Sequence, residues 1–173
     1  ARRLASIKSL FKYLIKSEQI SQNPSINIKT PKVEKKLPNF VDIKVIDKLM
    51  EKPDIKTSKG LRDRAIIELF YSTGIRLSEL ANLDLSSIII DRNKKTDEEN
   101  YMVKVLGKGA KERIIPFGKE AKYWIDKYLN TRGFSISSGL RNLPLFANSK
   151  EKSIAYSTIK RRIRNYIKLV SEG

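Results

Sequence analysis

Residues 62–85, RDRAIIELFYSTGIRLSELANLDL, and residues 101–116, YMVKVLGKGAKERIIP, decide how this chain is read. In the first stretch Ala65, Ile66, Leu69 and Phe70 recur at helical spacing. The run stops at Thr73-Gly74, and glycine suits the left-handed position that closes a helix. A helix over roughly 61–73 is expected, preceded by Gly60. Arg76 lies just past the turn and opens a second, short helix, roughly 77–82. In the second stretch the period changes. Met102 to Leu106 and Arg113 to Phe117 are short β-rich runs joined by GKGAK, and Ile88-Ile89-Ile90 precedes them across the polar loop DRNKKTDEEN. These three runs read as a small antiparallel sheet inserted on a helical body.

Outward from this centre the chain is helical. Asp42 can cap a helix that carries Ile43, Ile46, Leu49 and Met50 inward. Gly118 to Leu129 places Ala121, Trp124, Ile125 and Tyr128 on one face. A loop rich in Ser, Gly and Asn, 132–149, leads to a last helix over roughly 154–170. Ile159, Ile163 and Ile167 mark its buried side; Lys160, Arg161, Arg162, Arg164 and Lys168 supply charge. At the start, residues 2–18 form an amphipathic helix whose apolar stripe is Leu4, Ile7, Leu10, Phe11, Leu14 and Ile15. That stripe calls for partner elements upstream. Residues 21–40, SQNPSINIKTPKVEKKLPNF, have three prolines and a lysine cluster, which is linker composition. Lys32, Lys35 and Lys36 read either as a solvated strap or as a strap over a phosphate backbone. The fold class is α+β, mainly α: a helical core with a small three-stranded antiparallel sheet, preceded by one helix and a linker.

Lysine and arginine number 36 against 19 acidic residues, a net charge of +17. Such a surface binds polyanions by phosphate contact and counterion release. A ribosomal-type protein or a merely soluble basic surface are the other readings of charge alone. With no cysteine and no histidine there is no disulfide, no thiol chemistry and no zinc-type ligand set. No apolar run reaches membrane-span length. The opening ARRLASIKSLFKYLIK is Arg-rich and amphipathic like an organellar presequence. Without an initiator Met, it reads as an internal helix.

Three places carry candidate chemistry. Arg76 sits at a helix N-terminus after a sharp turn, and a guanidinium there can bind two phosphate oxygens at once. Glu79, three residues on, can hold it; an ordinary structural Arg–Glu pair fits the same spacing. Lys108 lies between two glycines at a hairpin tip, from which an ammonium can protonate a leaving oxygen. It can equally be an exposed turn lysine. GKGAK lacks the spacing and the Ser/Thr of a Walker loop, so nucleotide hydrolysis has little support. The first turns of the last helix carry Tyr156, Ser157, Lys160 and Arg161, with Arg162 beside them, where a helix in the major groove reaches base edges. A solvated basic face is the alternative.

In combination and order, these segments resemble the tyrosine recombinases, or phage integrases, and among them the Xer type that resolves chromosome dimers. ARRLASIKSLFKYL, NPS and TPK resemble the last helix of the family's N-terminal core-binding domain and its linker, giving expected boundaries 1–20, 21–41 and 42–173. RDRAIIELFYSTGIRLSEL resembles the segment with the first catalytic arginine, here Arg76. LGKGAKERIIPFG resembles the hairpin with the catalytic lysine, here Lys108; SIAYSTIKRRIRNYI resembles the DNA-contacting helix. The resemblance implies cleavage and rejoining of double-stranded DNA through a 3′-phosphotyrosyl link, with no metal, cofactor or nucleotide. It implies a homo- or hetero-tetramer on two DNA sites and a cytoplasmic, nucleoid-associated protein. Arg2, Arg3, Lys8, Lys111, Arg113, Tyr156, Ser157, Lys160, Arg161 and Arg162 are the implied DNA-contacting set.

The family's His-x-x-Arg block, its later His or Trp and its nucleophilic tyrosine find no counterpart. Tyr71, Tyr101, Tyr123, Tyr128, Tyr156 and Tyr166 all fall in other contexts. Residues 1–173 are therefore expected to bind DNA without cleaving it. Two readings stay open: part of an active recombinase, or a non-catalytic DNA-binding module or regulator on the same fold. Having both Arg76 and Lys108 favours the first, since a pure binder has no evident need of that lysine.

Overall fold

A computed structural model describes residues 2–31, 41–92, 98–107, 109, 111–136, 142–148 and 152–171. The chain divides into two compact units, Ala1–Phe40 and Val41–Gly173. In the first, α1 (Arg2–Lys16) ends in a turn where Glu18 takes a positive φ of 57°. No residue of α1 is buried; Ile7, Leu10 and Ile15 of its apolar stripe are exposed, and Leu4, Phe11 and Leu14 half-buried. Lys32, Lys35 and Lys36 lie outside the described residues.

The second unit is built around α3 (Ser58–Thr73), which packs against α2 (Ile43–Glu51), α4 (Leu77–Ala81), α5 (Lys119–Asn130) and α6 (Tyr156–Ser171). Three strands, β1 (Ile88–Arg92), β2 (Glu99–Leu106) and β3 (Glu112–Phe117), form an antiparallel sheet in sequence order. Ile88 faces Val103, and Val103 faces Ile115 on the other side. The sheet belongs to the core: Val103, Val105 and Phe117 are buried with Ile66, Leu69, Leu80, Ile125 and Leu129. Each such side chain, fully buried, contributes roughly 1.5–3 kcal/mol.

Several local expectations hold. The Asp42 carboxylate accepts from the Lys44 N–H at 3.0 Å, capping α2. Gly74 closes α3 at φ 60°, its N–H donating to the Phe70 carbonyl. Other expectations are corrected. α3 begins at Ser58, because the Thr57 hydroxyl caps it by accepting from the Gly60 N–H at 3.0 Å. Gly60 is inside the first turn for a steric reason: a Cβ there would lie 1.8 Å from the Asp54 carbonyl oxygen. Ile43 is 68% exposed, so α2 turns only Met50 fully inward. Phe70 is also exposed at the end of α3. On α6 burial fades along the helix, from Ile159 at 1% exposure through a half-buried Ile163 to Ile167 at 48%. Finally, part of the expected loop is core. Leu143 to Ala147 is strapped to 83–85, with the Leu85 N–H on the Leu143 carbonyl and the Leu145 N–H on the Leu83 carbonyl, both at 2.8 Å. Leu145 and Phe146 are buried, and Arg132 donates to the Pro144 and Leu145 carbonyls at 2.8 Å.

Candidate nucleic-acid interface

The α3–α4 turn and the base of the β2–β3 hairpin meet at Glu79. Its side chain is 5% exposed and accepts four hydrogen bonds. Arg113, on β3, holds it in a fork, Nη1 on Oε1 at 2.9 Å and Nη2 on Oε2 at 2.8 Å. The Arg76 backbone N–H donates to Oε2 at 2.7 Å, and Arg76 Nη1 donates to Oε1 at 3.1 Å. The Arg113 hydrogen bonds, above all, hold the Glu79 pKa at about 2 against the opposing effect of burial, and the Arg76 N–H adds to this. The carboxylate therefore stays charged.

Arg76 is different from its partner across the carboxylate. It makes a single side-chain hydrogen bond to Glu79, and its side chain is 69% exposed. The remaining guanidinium donors face outward at the N-terminus of α4. Two guanidiniums on one carboxylate leave one net positive charge at the surface, where Arg76 is 69% and Arg113 41% exposed. Lys108 lies outside the described residues. At the described hairpin base the Gly107 N–H donates to the Lys111 carbonyl at 2.8 Å, and the Lys111 side chain is exposed.

The second part of the interface is α6. Tyr156, Ser157, Lys160, Arg161, Arg164 and Asn165 line one open groove. Lys160 Nζ sits 5.8 Å from the centre of the Tyr156 ring, a cation–π distance. Arg164 belongs to this rim although it was not among the expected contact residues; its i, i+4 spacing from Lys160 was the available signal. Arg162 departs from expectation. It points inward and donates to the buried carboxylate of Asp63 on α3, which also accepts from Tyr166 at 2.8 Å and from Arg62 at 3.0 Å. Arg162 thus fastens α6 to the core. Arg113 is likewise taken up by Glu79. Arg2 and Arg3 are exposed on α1 and Lys8 is half-buried there.

Among the described residues, Tyr101 donates to Glu99 at 2.7 Å, Tyr166 donates to Asp63, and Tyr128 accepts from the Ala147 N–H at 3.0 Å. Among the described residues no cluster of potential metal ligands occurs, and no helix is long and apolar enough to cross a membrane.

The model of the phage integrase family matches residues 39–172. Tyrosine recombinase XerC of Myxococcus xanthus is 36% identical over 170 residues, covering 96% of this chain and 54% of that protein. XerC of Pelobacter propionicus is 39% identical over 166 residues, covering 96% and 51%. The chain spans about half the length of the curated relatives it matches. Among solved structures, XerA recombinase superposes with a TM-score of 0.53 at 28% identity, over 95% of this chain and 53% of that one. A lambda integrase dimer bound to a COC′ core site gives a TM-score of 0.69 over 97% and 56%, and at 16% identity speaks for the fold alone. By a family match that spans most of its length, the chain belongs to the phage integrase family, and the curated relatives it is similar to are tyrosine recombinases of the Xer type.

Proposed function

We propose that the complete protein is a site-specific recombinase that cleaves and rejoins double-stranded DNA through a 3′-phosphotyrosyl intermediate. The observation that carries this is the Arg76 guanidinium, anchored by one bond to a buried carboxylate and otherwise open to solvent. A guanidinium so held can bind the two non-bridging oxygens of a scissile phosphate and stabilise the charge that grows there. Attack by a tyrosine oxygen forms the new phosphorus–oxygen bond and breaks the bond to the 5′ oxygen. Lys108 gives that oxygen a proton and the 5′ hydroxyl departs. The engaged hydroxyls of Tyr101, Tyr128 and Tyr166 speak against those three as the nucleophile. The groove face of α6 supports contact with the duplex, Lys160, Arg161 and Arg164 on phosphates and Tyr156 and Ser157 nearer the bases. Residues 1–20 then belong to a core-binding domain, 21–41 to a linker and 42–173 to the catalytic domain. The assembly is a tetramer on two sites, in the cytoplasm at the nucleoid, for chromosome-dimer resolution or DNA integration.

Arg76→Ala in the complete protein tests this, on a duplex site recovered by selection for binding. Formation of the covalent protein–DNA complex is expected to fall about 10²–10³-fold, as for loss of one transition-state donor. DNA affinity should change by only a few-fold. Cleavage near the wild-type rate removes Arg76 from the mechanism.

A further inference from the structure

We infer that Arg113 is a positioning residue that keeps Arg76 available to phosphate by occupying Glu79. A carboxylate offers about four lone-pair sites. All four on Glu79 are filled: two by the Arg113 fork, one by the Arg76 N–H and one by Arg76 Nη1. The fork geometry, 2.9 and 2.8 Å, is the strong bidentate arrangement, and Arg113 has it rather than Arg76. Remove Arg113 and the two acceptor sites its fork fills are vacated, with Arg76 Nη1 already bonded to Oε1 at 3.1 Å. The nearest guanidinium then folds down onto the carboxylate. Arg76 loses its outward donors, and the local charge falls from one positive to zero. The reaction centre is thus set by competition between two arginines for one acid.

Gly107 supports the same arrangement. A Cβ at Gly107 would lie 3.1 Å from Arg113 Nη1 and 3.4 Å from the Lys111 carbonyl oxygen. Glycine at the hairpin base leaves the room in which the Arg113 fork lies flat on Glu79. The φ of Gly107 is not positive, so the requirement is one of space. Arg113 therefore also ties the hairpin to the α4 N-terminus, coupling the two elements that carry Arg76 and the GKGAK turn.

This inference rests on the proposed role of Arg76, and the test separates the two. In the complete protein, single-turnover cleavage and DNA affinity are measured for Arg76→Ala, Arg113→Ala and the double variant Arg113→Ala with Glu79→Gln. Arg113→Ala is expected to cleave about 10–100-fold more slowly with affinity changed only a few-fold. Adding Glu79→Gln removes the charge that captures Arg76, so the double variant should cleave at least about five-fold faster than Arg113→Ala alone, a coupling of the size seen between contacting residues. Two damaging structural changes would instead make the double variant equal or worse, and that result overturns the inference. If Arg76→Ala cleaves like the wild type, the proposed function of Arg76 fails first. Should Arg113→Ala not fold, Arg113→Met keeps the side-chain bulk and removes the same fork. Its defect should be relieved by Glu79→Gln in the same way, and no relief is again a refutation.

Discussion

Glu79 shows how a single residue sets the electrostatics of this surface. An acid three residues after an arginine at a helix start is common, and at the surface such a pair contributes little. Here the acid is buried and bonded four times, so its charge is needed. Its pKa falls from 4.5 to about 2 on folding. A lowered pKa contributes stability that is present above the unfolded value and is lost as pH falls through the folded one. Acid titration followed by circular dichroism and urea unfolding should therefore show wild-type stability dropping between pH 4.5 and about 2. Glu79→Gln should be less stable at neutral pH and lose less across that window. An unchanged acid profile in the variant would mean that Glu79 is not held charged. Added salt should shrink the effect, since Arg76 and Arg113 face water.

At the scale of elements, α6 is the instructive case. Its sequence is amphipathic and its basic residues look alike, yet they divide into two sets. Lys160, Arg161 and Arg164 border the outer groove, while Arg162 bonds to Asp63 together with Tyr166. Asp63 also receives Arg62 and is itself buried, so it joins α3 to α6 through charge-assisted bonds. Asp63→Asn removes the charge and leaves two guanidiniums without their acid. It is expected to lower unfolding stability by about 3 kcal/mol, the range for breaking a buried pair. Lys160→Ala, on the open side, should stay within about 0.5 kcal/mol of the wild type. Equal urea midpoints for both variants would show that the Asp63 network does not hold α6.

For the whole molecule the governing quantity is the charge of +17. Binding to duplex DNA should weaken steeply with salt, and each phosphate-contacting cation contributes about one unit to the log–log slope. Lys160→Ala should therefore reduce that slope by about one, on any DNA sequence, if the α6 rim lies on the backbone. A slope identical to that of the wild type would take Lys160 off the phosphates.

What the sequence alone determined was local and periodic. Helix spacing, the Thr73-Gly74 stop and the β-rich runs placed α3, α4 and the hairpin, because these signals act over a few residues. The order of RDRAIIELFYSTGIRLSEL and LGKGAKERIIP marked the family, and the match over residues 39–172 agrees with it. Charge pointed to a polyanion without saying which cations would meet it. Tertiary structure alone decided which cations are taken up by buried acids and which stay exposed. Arg113 lies 34 positions from Glu79 and Arg162 lies 99 from Asp63, and no local pattern pairs residues so far apart. It also decided that Leu143 to Ala147 is core and that Ile167 is not, because burial depends on what packs against a side chain. An arginine's place in the chain fixes its charge; whether that charge faces water or an acid is fixed only when distant elements come together.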